Sequence, residues 1–335
     1  MKRLVLLACI LLVPVASANA QFKFTNIDCT VIGETSARGI NNLGEIVGRT
    51  GPDQYGNDHA VLIKDGKCIP LAPKTILGQY WSEAFKINDQ GDVVGYFYDN
   101  EGYPHGFLLS KKGVLTQLDF PGAGDTGAWG INAFGTIVGF FDDYDAQGDW
   151  IATHGFVWRK GSFSQVDYPG AWDTWVVGTN DFGVLLGGWD NGSPDYTEIG
   201  FVRSITGKFI NFDVPVAGVI GSQLNDINDL GLFVGEYEDT SDNFHGCLQV
   251  GQRFTSIDYP GAEGTTTWGI NIFGLIVGVY YDSEGMAHGY VAVANGKDDV
   301  AQHLPTPPVP ANAVNAAGSR AVSRPHTNAR HPLSY

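Results

Sequence analysis

The stretch Gly130-Ile131-Asn132-Ala133-Phe134-Gly135-Thr136-Ile137-Val138-Gly139 decides the fold, because the chain contains six copies of its pattern. Each copy has an asparagine, a glycine three residues later and another glycine four residues after that. The asparagines lie 47, 44, 48, 48 and 43 residues apart and are Asn41, Asn88, Asn132, Asn180, Asn228 and Asn271. This spacing is typical of radial or stacked β arrays, whose units bury their apolar faces only against neighbouring units.

Each repeat contains four short apolar stretches separated by Gly, Asn, Asp and Pro, which predicts four strands. In the third copy, the predicted strands are Ala128–Asn132, Thr136–Phe141, Gly155–Trp158 and Phe163–Asp167. The Asn-x-x-Gly link between the first two strands is a tight turn, because asparagine caps its own backbone and glycine accepts a positive φ. Four antiparallel strands per repeat indicate the blade of a β-propeller.

The two ends of the repeat region complement each other. The sixth repeat has three strands and stops after Tyr290-Val291-Ala292-Val293, whereas Phe24-Thr25-Asn26-Ile27-Asp28 closely repeats Phe254-Thr255-Ser256-Ile257-Asp258. An open solenoid gains nothing from a repeat that is split in this way, but a closed ring removes its exposed edges. The sequence therefore predicts an all-β, six-bladed propeller of four-stranded blades, closed by the N-terminal strand.

Three motifs resemble those of the extracellular HAF-repeat family of bacteria, over roughly Phe24 to Val293. They are Gly-Ile-Asn-x-x-Gly-x-Ile-Val-Gly, His-Gly-Phe and Asp-Tyr-Pro-Gly-Ala, at 130–139, 154–156 and 167–171. The copies depart from these motifs at Ile199, at His59-Ala60-Val61, at His245-Gly246-Cys247 and at Val216. The resemblance implies export and repetition, and it implies no particular reaction.

The segments outside the repeats predict an exported protein. Residues 1–20 read as a secretory signal, with Lys2 and Arg3 before an apolar run and Ala18-Asn19-Ala20 as a cleavage site. Residues 21–295 hold the propeller, and the Pro- and Ala-rich segment 296–335 is expected to be disordered. We therefore expect a secreted or periplasmic monomer without an integral membrane segment.

Charge narrows the range of partners. The formal net charge is −16, and because residues 1–20 and 296–335 each contribute +2, the repeats carry −20. Such a surface repels nucleic acid and anionic lipid. The expected partner is therefore a glycan or an extracellular protein.

Three cysteines follow the signal sequence. Cys247 occupies a position where other repeats have phenylalanine, which predicts a small apolar core residue. Cys29 and Cys68 could pair in an oxidising compartment, although they lie at different phases of the repeat. We leave their pairing open.

Residues that recur in nearly every repeat are interpreted as structural. One set is His59, His105, His154, His245 and His288. A second set is Asp28, Asp119, Asp167, Asp213 and Asp258, and a third is Thr35, Ser82, Thr126, Thr174, Ser222 and Thr265. One histidine per blade spreads round a ring and does not converge on a metal ion, so each is expected to hydrogen-bond within its own blade.

Function is expected where the repeats differ, on the connections that precede the first strand of each blade. The residues at this position are Glu34, Trp81, Asp125, Asp173, Gly221 and Gly264, and Trp129, Trp172, Trp175 and Trp268 lie close by. Aromatic rings beside carboxylates suit a sugar, since the rings pack on C–H surfaces and the carboxylates accept hydroxyl protons. Trp129 and Trp268 share one phase, which favours packing between blades, so Trp172 and Trp175 are the better candidates.

The longest connection, residues 142–150, is also the most acidic. Its carboxylates suggest a Ca²⁺ site at Asp142, Asp143 and Asp145, although the spacing does not match an EF-hand. A solvated acidic loop is the alternative interpretation.

Two functions remain open from the sequence. The first is a binding or scaffold protein that recognises carbohydrate or protein on its variable face. The second is a hydrolase or lyase with paired carboxylates such as Asp125 and Asp173 at the channel mouth. The absence of a recognisable nucleophile motif favours binding.

Overall fold

The computed structural model describes residues 22–29, 33–72, 75–192, 198–212 and 214–294. These residues form 24 strands and one 3-10 turn at Ile76–Gly78. Within these ranges, no helix is long and apolar enough to cross a membrane. The predicted signal sequence and the predicted tail, residues 1–20 and 296–335, lie outside the described residues.

The strands form six units of four antiparallel strands, which confirms the predicted six-bladed propeller. Blade one contains β2 (Glu34–Ile40), β3 (Ile46–Gly51), β4 (His59–Lys64) and β5 (Lys67–Pro70). Blade two contains β6 (Ser82–Ile87), β7 (Val93–Tyr98), β8 (Pro104–Leu109) and β9 (Leu115–Leu118). Blade three contains β10 (Asp125–Ile131), β11 (Ile137–Tyr144), β12 (Trp150–Arg159) and β13 (Ser162–Val166).

Blade four contains β14 (Asp173–Thr179), β15 (Leu185–Asp190), β16 (Ile199–Arg203) and the short β17 (Phe209–Asn211). Blade five contains β18 (Val219–Ile227), β19 (Leu232–Asp239), β20 (Phe244–Val250) and β21 (Arg253–Ile257). Blade six contains β22 (Gly264–Ile270), β23 (Ile276–Tyr281), β24 (Ala287–Ala294) and β1 (Phe22–Asn26). Blades four and five are also joined by one parallel pair, Ile199 with Ser222.

The N-terminal strand completes the sixth blade, as the sequence predicts. All five residues of β1 pair with β24, from Phe22 opposite Ala294 to Asn26 opposite Tyr290. The ring of Phe24 packs 5.1 Å from Tyr259 and 5.5 Å from Tyr290, measured between centroids. The two ends of the described chain are therefore held in one sheet, and blade six has its full set of four strands.

The six repeated asparagines link neighbouring blades into a ring. Each Nδ2 donates to the backbone carbonyl of the next asparagine at 2.9 to 3.5 Å, and the last of these bonds runs from Asn271 back to Asn41. The Oδ1 atom of Asn132 also accepts from the backbone N–H of Thr136 at 3.0 Å, inside its own turn. These side chains form the turn and join the blades, so the structural interpretation of the asparagines is confirmed.

The glycine in the second strand of each repeat is required by a bulge in the first strand. In blade three the register shifts between Ala128 and Gly130, and this brings the Gly127 carbonyl against Gly139. A Cβ atom at Gly139 would overlap that oxygen, and the corresponding glycine of every other blade meets a backbone carbonyl in the same way. The repeated glycine is therefore a steric necessity.

The recurring histidines bond within their blades. In blade two, Nδ1 of His105 lies 2.9 Å from Asp119 and Nε2 lies 3.3 Å from Asp99. In blade six, His288 bonds Asp28 at 2.7 Å, so the same contact ties the N-terminal segment to β24. The predicted structural role of these histidines is confirmed.

We expect His105→Ala to destabilise the protein by about 1–3 kcal/mol, because two carboxylates lose their partner. Burial lowers the pKa of His105, but the hydrogen bonds to Asp119 and Asp99 outweigh burial and raise it above the ordinary value. The charged histidine therefore stabilises the fold below pH ~6.5, and this contribution is lost as the pH rises through the raised pKa. Chemical denaturation at about pH 5.5 and about pH 9 should show the larger difference at the lower pH. Tyr103→Ala, an exposed change in the same hairpin, is the control, and equal stability of His105→Ala and the parent protein at low pH would contradict the assignment.

The hydroxyl at the start of each blade satisfies a backbone group. Thr126 accepts from the Phe120 N–H at 3.0 Å, and Thr35, Thr174 and Thr265 accept from the N–H six residues upstream at 2.8 to 3.0 Å. Ser82 accepts from Ala60 at 3.0 Å. In these five blades the structural interpretation is confirmed.

A disulfide joins Cys29 to Cys68, with their Cα atoms 5.7 Å apart. It links the segment after β1 to the outer strand of blade one, across the junction between blades six and one. The difference in repeat phase between the two cysteines is therefore no obstacle, because the N-terminal strand belongs to the neighbouring blade. Cys247 is buried as predicted.

Candidate functional site

The two faces of the propeller differ in what they present. On the loop face, the first strand of each blade begins and the second ends, so the variable connections lie there. On the opposite turn face lie the repeated Asn-x-x-Gly turns. The channel between them is lined by the six first strands.

The channel itself is filled by side chains. Nε of Arg38 lies 2.6 Å from Glu83, and Nζ of Lys86 lies 2.7 Å from Asp226, which joins blade two to blade five. The remaining space is divided between a cavity of about 50 Å³, which is also lined by Phe85, Trp129 and Trp268, and one of about 80 Å³ among the repeated asparagines of the turn face. A water molecule occupies about 30 Å³ of liquid, so this space is too small for a sugar. A ligand of that size must bind nearer the mouth.

The predicted acids at the mouth belong to the blade framework. Asp125 and Asp173 are the first residues of β10 and β14, and both are buried, so the prediction that they lie in the connecting loops is wrong. Asp125 accepts from the Tyr144 hydroxyl at 2.6 Å, and Asp173 accepts from the Thr153 N–H at 2.7 Å. The first strands reach further toward the mouth than their apolar pattern predicts, and they carry these acids inside.

Asp173 is nonetheless unusual in its protonation. Burial, followed by the negative charges of Asp190 and Asp142, raises the pKa of Asp173 to about 7, although the hydrogen bond from Thr153 acts in the opposite direction. Asp190 stands opposite Asp173 in the sheet. The two carboxyls belong to one buried network between neighbouring strands.

The two favoured tryptophans are far from equivalent. Trp172 is 57% exposed on the loop face, whereas Trp175 is 2% exposed inside β14, so the two candidates do not form a common aromatic surface. The ring of Trp175 packs over Gly188, where any larger side chain would collide with it.

The other candidate tryptophans lie deeper than the loops. Trp81 is half-buried and packs 5.1 Å from Tyr96. Trp129 is buried and packs 4.6 Å from Phe140. Trp268 is half-buried, and its Nε1 donates to Thr266 at 2.9 Å. Of the predicted aromatic residues, Trp172 is the one on the surface and Trp268 is the one beside a larger cavity.

The three acids proposed for Ca²⁺ do not converge. Asp142 accepts from the Thr153 hydroxyl at 2.6 Å, Asp143 faces His154 at 3.6 Å, and Asp145 accepts from the N–H groups of the turn that it begins. The hairpin continues to Tyr144 and Trp150, so alternate side chains point to opposite faces of the sheet. Across the described ranges, no three His, Cys, Asp or Glu residues are arranged to hold a metal ion.

A larger cavity opens beside the channel, between blades five and six. We call it the side cavity; it measures about 180 Å³ and is lined by Arg38, Glu236, Phe244, Thr266, Trp268 and Tyr281. Phe244 begins β20 and Tyr281 ends β23, so both lie at the loop face. Arg38 and Trp268 line this cavity and the channel, with the guanidinium 3.8 Å from the indole centroid.

Glu236 places a buried carboxyl group in the wall of the side cavity. The residue is 5% exposed, and its Oε2 has no hydrogen-bond partner among the described residues. Burial raises the pKa of Glu236 to about 8, against the lowering effect of the Arg38 charge. The carboxyl therefore carries a proton at neutral pH and can donate a hydrogen bond.

Sequence reasoning missed Arg38 and Glu236, although a signal was present. The residue after the second-strand glycine differs in every repeat: Arg49, Tyr96, Phe140, Gly188, Glu236 and Val279. The residue three before the repeated asparagine also varies: Arg38, Phe85, Trp129, Val177, Asn225 and Trp268. Variable positions inside the strands, and not only in the loops, mark the side chains that face the channel.

No protein-family model and no curated protein matches the chain. Among solved structures, it is similar to the β-propeller domain of the Trilobed protease from Pyrococcus furiosus, with 7% identity, a TM-score of 0.49 and coverage of 78% of this chain and 82% of that one. It is similar to the lectin of Aleuria aurantia in complex with α-methyl-L-fucoside, with 10% identity, a TM-score of 0.47 and coverage of 81% of this chain and 96% of that one. It is also similar to a gluconolactonase from Xanthomonas campestris, with 11% identity, a TM-score of 0.45 and coverage of 84% and 92%. At these TM-scores, the likenesses carry no argument about what this chain binds.

Proposed function

We propose that this protein is an exported propeller that binds carbohydrate at the loop-face end of its channel. The observation that carries the proposal is the side cavity, which combines aromatic walls with a buried carboxyl whose Oε2 atom has no hydrogen-bond partner among the described residues. Binding sites for small molecules are concave, mostly apolar and furnished with a few polar groups that fix orientation. Aromatic rings offer flat apolar surfaces to the C–H face of a sugar, and the carboxyl offers a hydrogen bond to a hydroxyl.

Two observations support export. Residues 1–20 have the composition of a secretory signal. The disulfide between Cys29 and Cys68 suits an oxidising compartment, since such bonds are rare in the cytosol. Both agree with the resemblance to extracellular HAF-repeat proteins, and we propose membership of that family on the same grounds.

The alternative of a hydrolase or lyase has weaker support. Its two carboxylates, Asp125 and Asp173, are buried in neighbouring blades and hydrogen-bond to Tyr144 and Thr153. Neither residue lines the channel cavity or the side cavity. Binding is therefore the function that the geometry favours.

A glycan array probed with the purified full-length protein tests this proposal. We expect binding to a limited set of glycans. Binding to none of the glycans, together with capture of a defined extracellular protein on the loop face, would replace carbohydrate with protein as the ligand.

We expect Trp268→Ala to lower the affinity for a glycan hit by about tenfold or more, because a tryptophan that forms the wall of a binding site is a typical hot spot. Trp268→Phe should retain much of the affinity, since it keeps an aromatic face. Fluorescence titration measures both variants, with melting curves to confirm folding. Trp172→Ala is the matched control, because Trp172 lies on the same face outside both cavities. If Trp172→Ala abolishes binding and Trp268→Ala does not, the site lies on the loops of blade four.

A further inference from the structure

Glu236 does not belong to the repeated framework of the propeller. The five residues at its position in the other blades have other chemical types, and none of them is a carboxylic acid. A buried polar atom without a partner is rare in proteins, because its desolvation is not compensated. Because Oε2 of this acid has no partner among the described residues and its residue lines a cavity, the carboxyl is available to a ligand.

The charges round the side cavity already balance. Arg38 is buried and pairs with Glu83, and Glu236 is neutral when protonated. A ligand with a net charge would bring an uncompensated ion into this buried space, which is costly. An anion would have to share the Arg38 guanidinium with Glu83, and a cation would face the Arg38 charge over the same Trp268 ring. The electrostatics therefore favour an uncharged ligand.

Size and shape narrow the ligand further. The volume of about 180 Å³ is more than three times that of the channel cavity of about 50 Å³ and has room for one sugar ring. The Trp268 ring is fixed by its bond to Thr266, and Phe244 and Tyr281 stand at the rim. The Arg38 guanidinium covers one face of this indole, so a pyranose or furanose ring would pack on the other face.

From these features we infer that the side cavity receives one uncharged sugar ring, which packs on Trp268 and accepts a hydrogen bond from the Glu236 carboxyl. This inference rests on the proposed carbohydrate-binding function. To that function it adds the location of the subsite, the neutral charge of the sugar and the Glu236 carboxyl as the hydrogen-bond donor. The rest of a longer glycan would extend past Phe244 and Tyr281 onto the loop face.

The donor role makes binding sensitive to pH. The charges of Arg38 and Glu198 affect the pKa of Glu236. The charge of Glu236 in turn raises the pKa of three neighbouring groups, Cys247, Tyr281 and Tyr290. Burial raises the pKa of Cys247, Tyr281 and Tyr290, so these groups stay neutral at neutral pH, whereas burial and the charge of Asp190 raise the pKa of Glu198 to about 7. Glu198 and Glu236 are therefore the two of these groups that change charge between mildly acidic and mildly basic pH.

The test is a calorimetric titration of the full-length protein with neutral monosaccharides, a uronic acid and an amino sugar. We expect a neutral sugar to bind best, and its affinity to fall by up to about tenfold as the pH rises through the pKa of Glu236, near 8. Glu236→Gln keeps a neutral donor, so it should bind within a few fold of the parent protein and lose this pH dependence. Glu236→Leu fills the site without a donor and should bind about tenfold more weakly.

Two controls distinguish the effect of Glu236 on the pH dependence from the effects of neighbouring acids. Glu238→Gln changes an acid two residues along the same strand, and Glu198→Gln removes the other titrating group. Both should retain the parent's loss of affinity at high pH. Melting curves for each variant show whether a lost affinity is a lost fold.

The outcomes distinguish this inference from the proposed function. Glycan binding with an unchanged affinity in Glu236→Leu, or with a preference for the uronic acid or the amino sugar, would overturn the inference and leave the function standing. Binding to no sugar in any assay would overturn both.

Discussion

Deletion of residues 21–28 is expected to abolish the cooperative unfolding of the propeller and to cause aggregation. The deletion removes β1, whose five residues pair with β24, and removes Asp28, which accepts from the Gly289 N–H at 2.9 Å and from His288 at 2.7 Å. Without β1, the outer edge of blade six exposes unpaired backbone groups, and such edges recruit other chains. The disulfide at Cys29 cannot replace this pairing, because it lies beyond the strand.

Circular-dichroism melting and size-exclusion chromatography measure the effect of the deletion. A milder version, Phe24→Ala, should lower the free energy of unfolding by roughly 1.5–3 kcal/mol through lost packing on Tyr259 and Tyr290. Lys23→Ala is the matched control, since Lys23 is exposed on the same strand. A truncated protein that melts like the intact one would show that β1 does not hold the ring closed.

The fold was predictable because the repeat carries its own geometry. The asparagine and the two glycines recur at fixed spacing, and in the structure they form a turn, donate a bond to the next blade and leave room for a bulged carbonyl. The match of Phe24–Asp28 to Phe254–Asp258 was enough to predict closure. These features depend on local backbone geometry, which a sequence pattern reports well.

The candidate site was predictable only in part, for a physical reason. A strand that lines a filled channel is buried on both faces, so its first residues need not alternate between apolar and polar side chains. The apolar pattern therefore placed the start of the first strand of blade three at Ala128, whereas β10 starts at Asp125. The same shift put Trp175 and Asp173 in a loop, when both are buried in β14.

The side cavity could not be predicted from the sequence, because the residues that line it come from three blades. Arg38 belongs to blade one, Glu236 to blade five and Trp268 to blade six. Each looks like an irregular substitution in its own repeat. Their meeting follows from ring closure, which joins residues about 200 positions apart in the chain.

The ion pair between Lys86 and Asp226 spans the channel and is the second feature whose loss should have a large effect. Both side chains are less than 10% exposed, and Nζ of Lys86 also donates to the Trp268 carbonyl at 3.2 Å. The Oδ2 atom of Asp226 accepts from the Ile270 N–H at 2.8 Å as well. This contact therefore connects blades two, five and six at the centre of the molecule.

Lys86→Ala is expected to lower the free energy of unfolding by about 3–5 kcal/mol, because it leaves the Asp226 charge buried without its cation. The double variant Lys86→Met with Asp226→Asn should recover much of this loss, since Met fills the space and Asn keeps an acceptor for the Ile270 N–H. Urea denaturation of the parent protein, Lys86→Met, Asp226→Asn and the double variant completes a double-mutant cycle. Lys112→Ala, at an exposed site, should change the stability by no more than about 0.5 kcal/mol.

A Lys86→Ala variant as stable as Lys112→Ala would mean that packing of the blades, and not the ion pair, holds the channel together. A double variant no more stable than Lys86→Ala would mean that the lysine stabilises the ring through its contact with the Trp268 carbonyl instead of through Asp226.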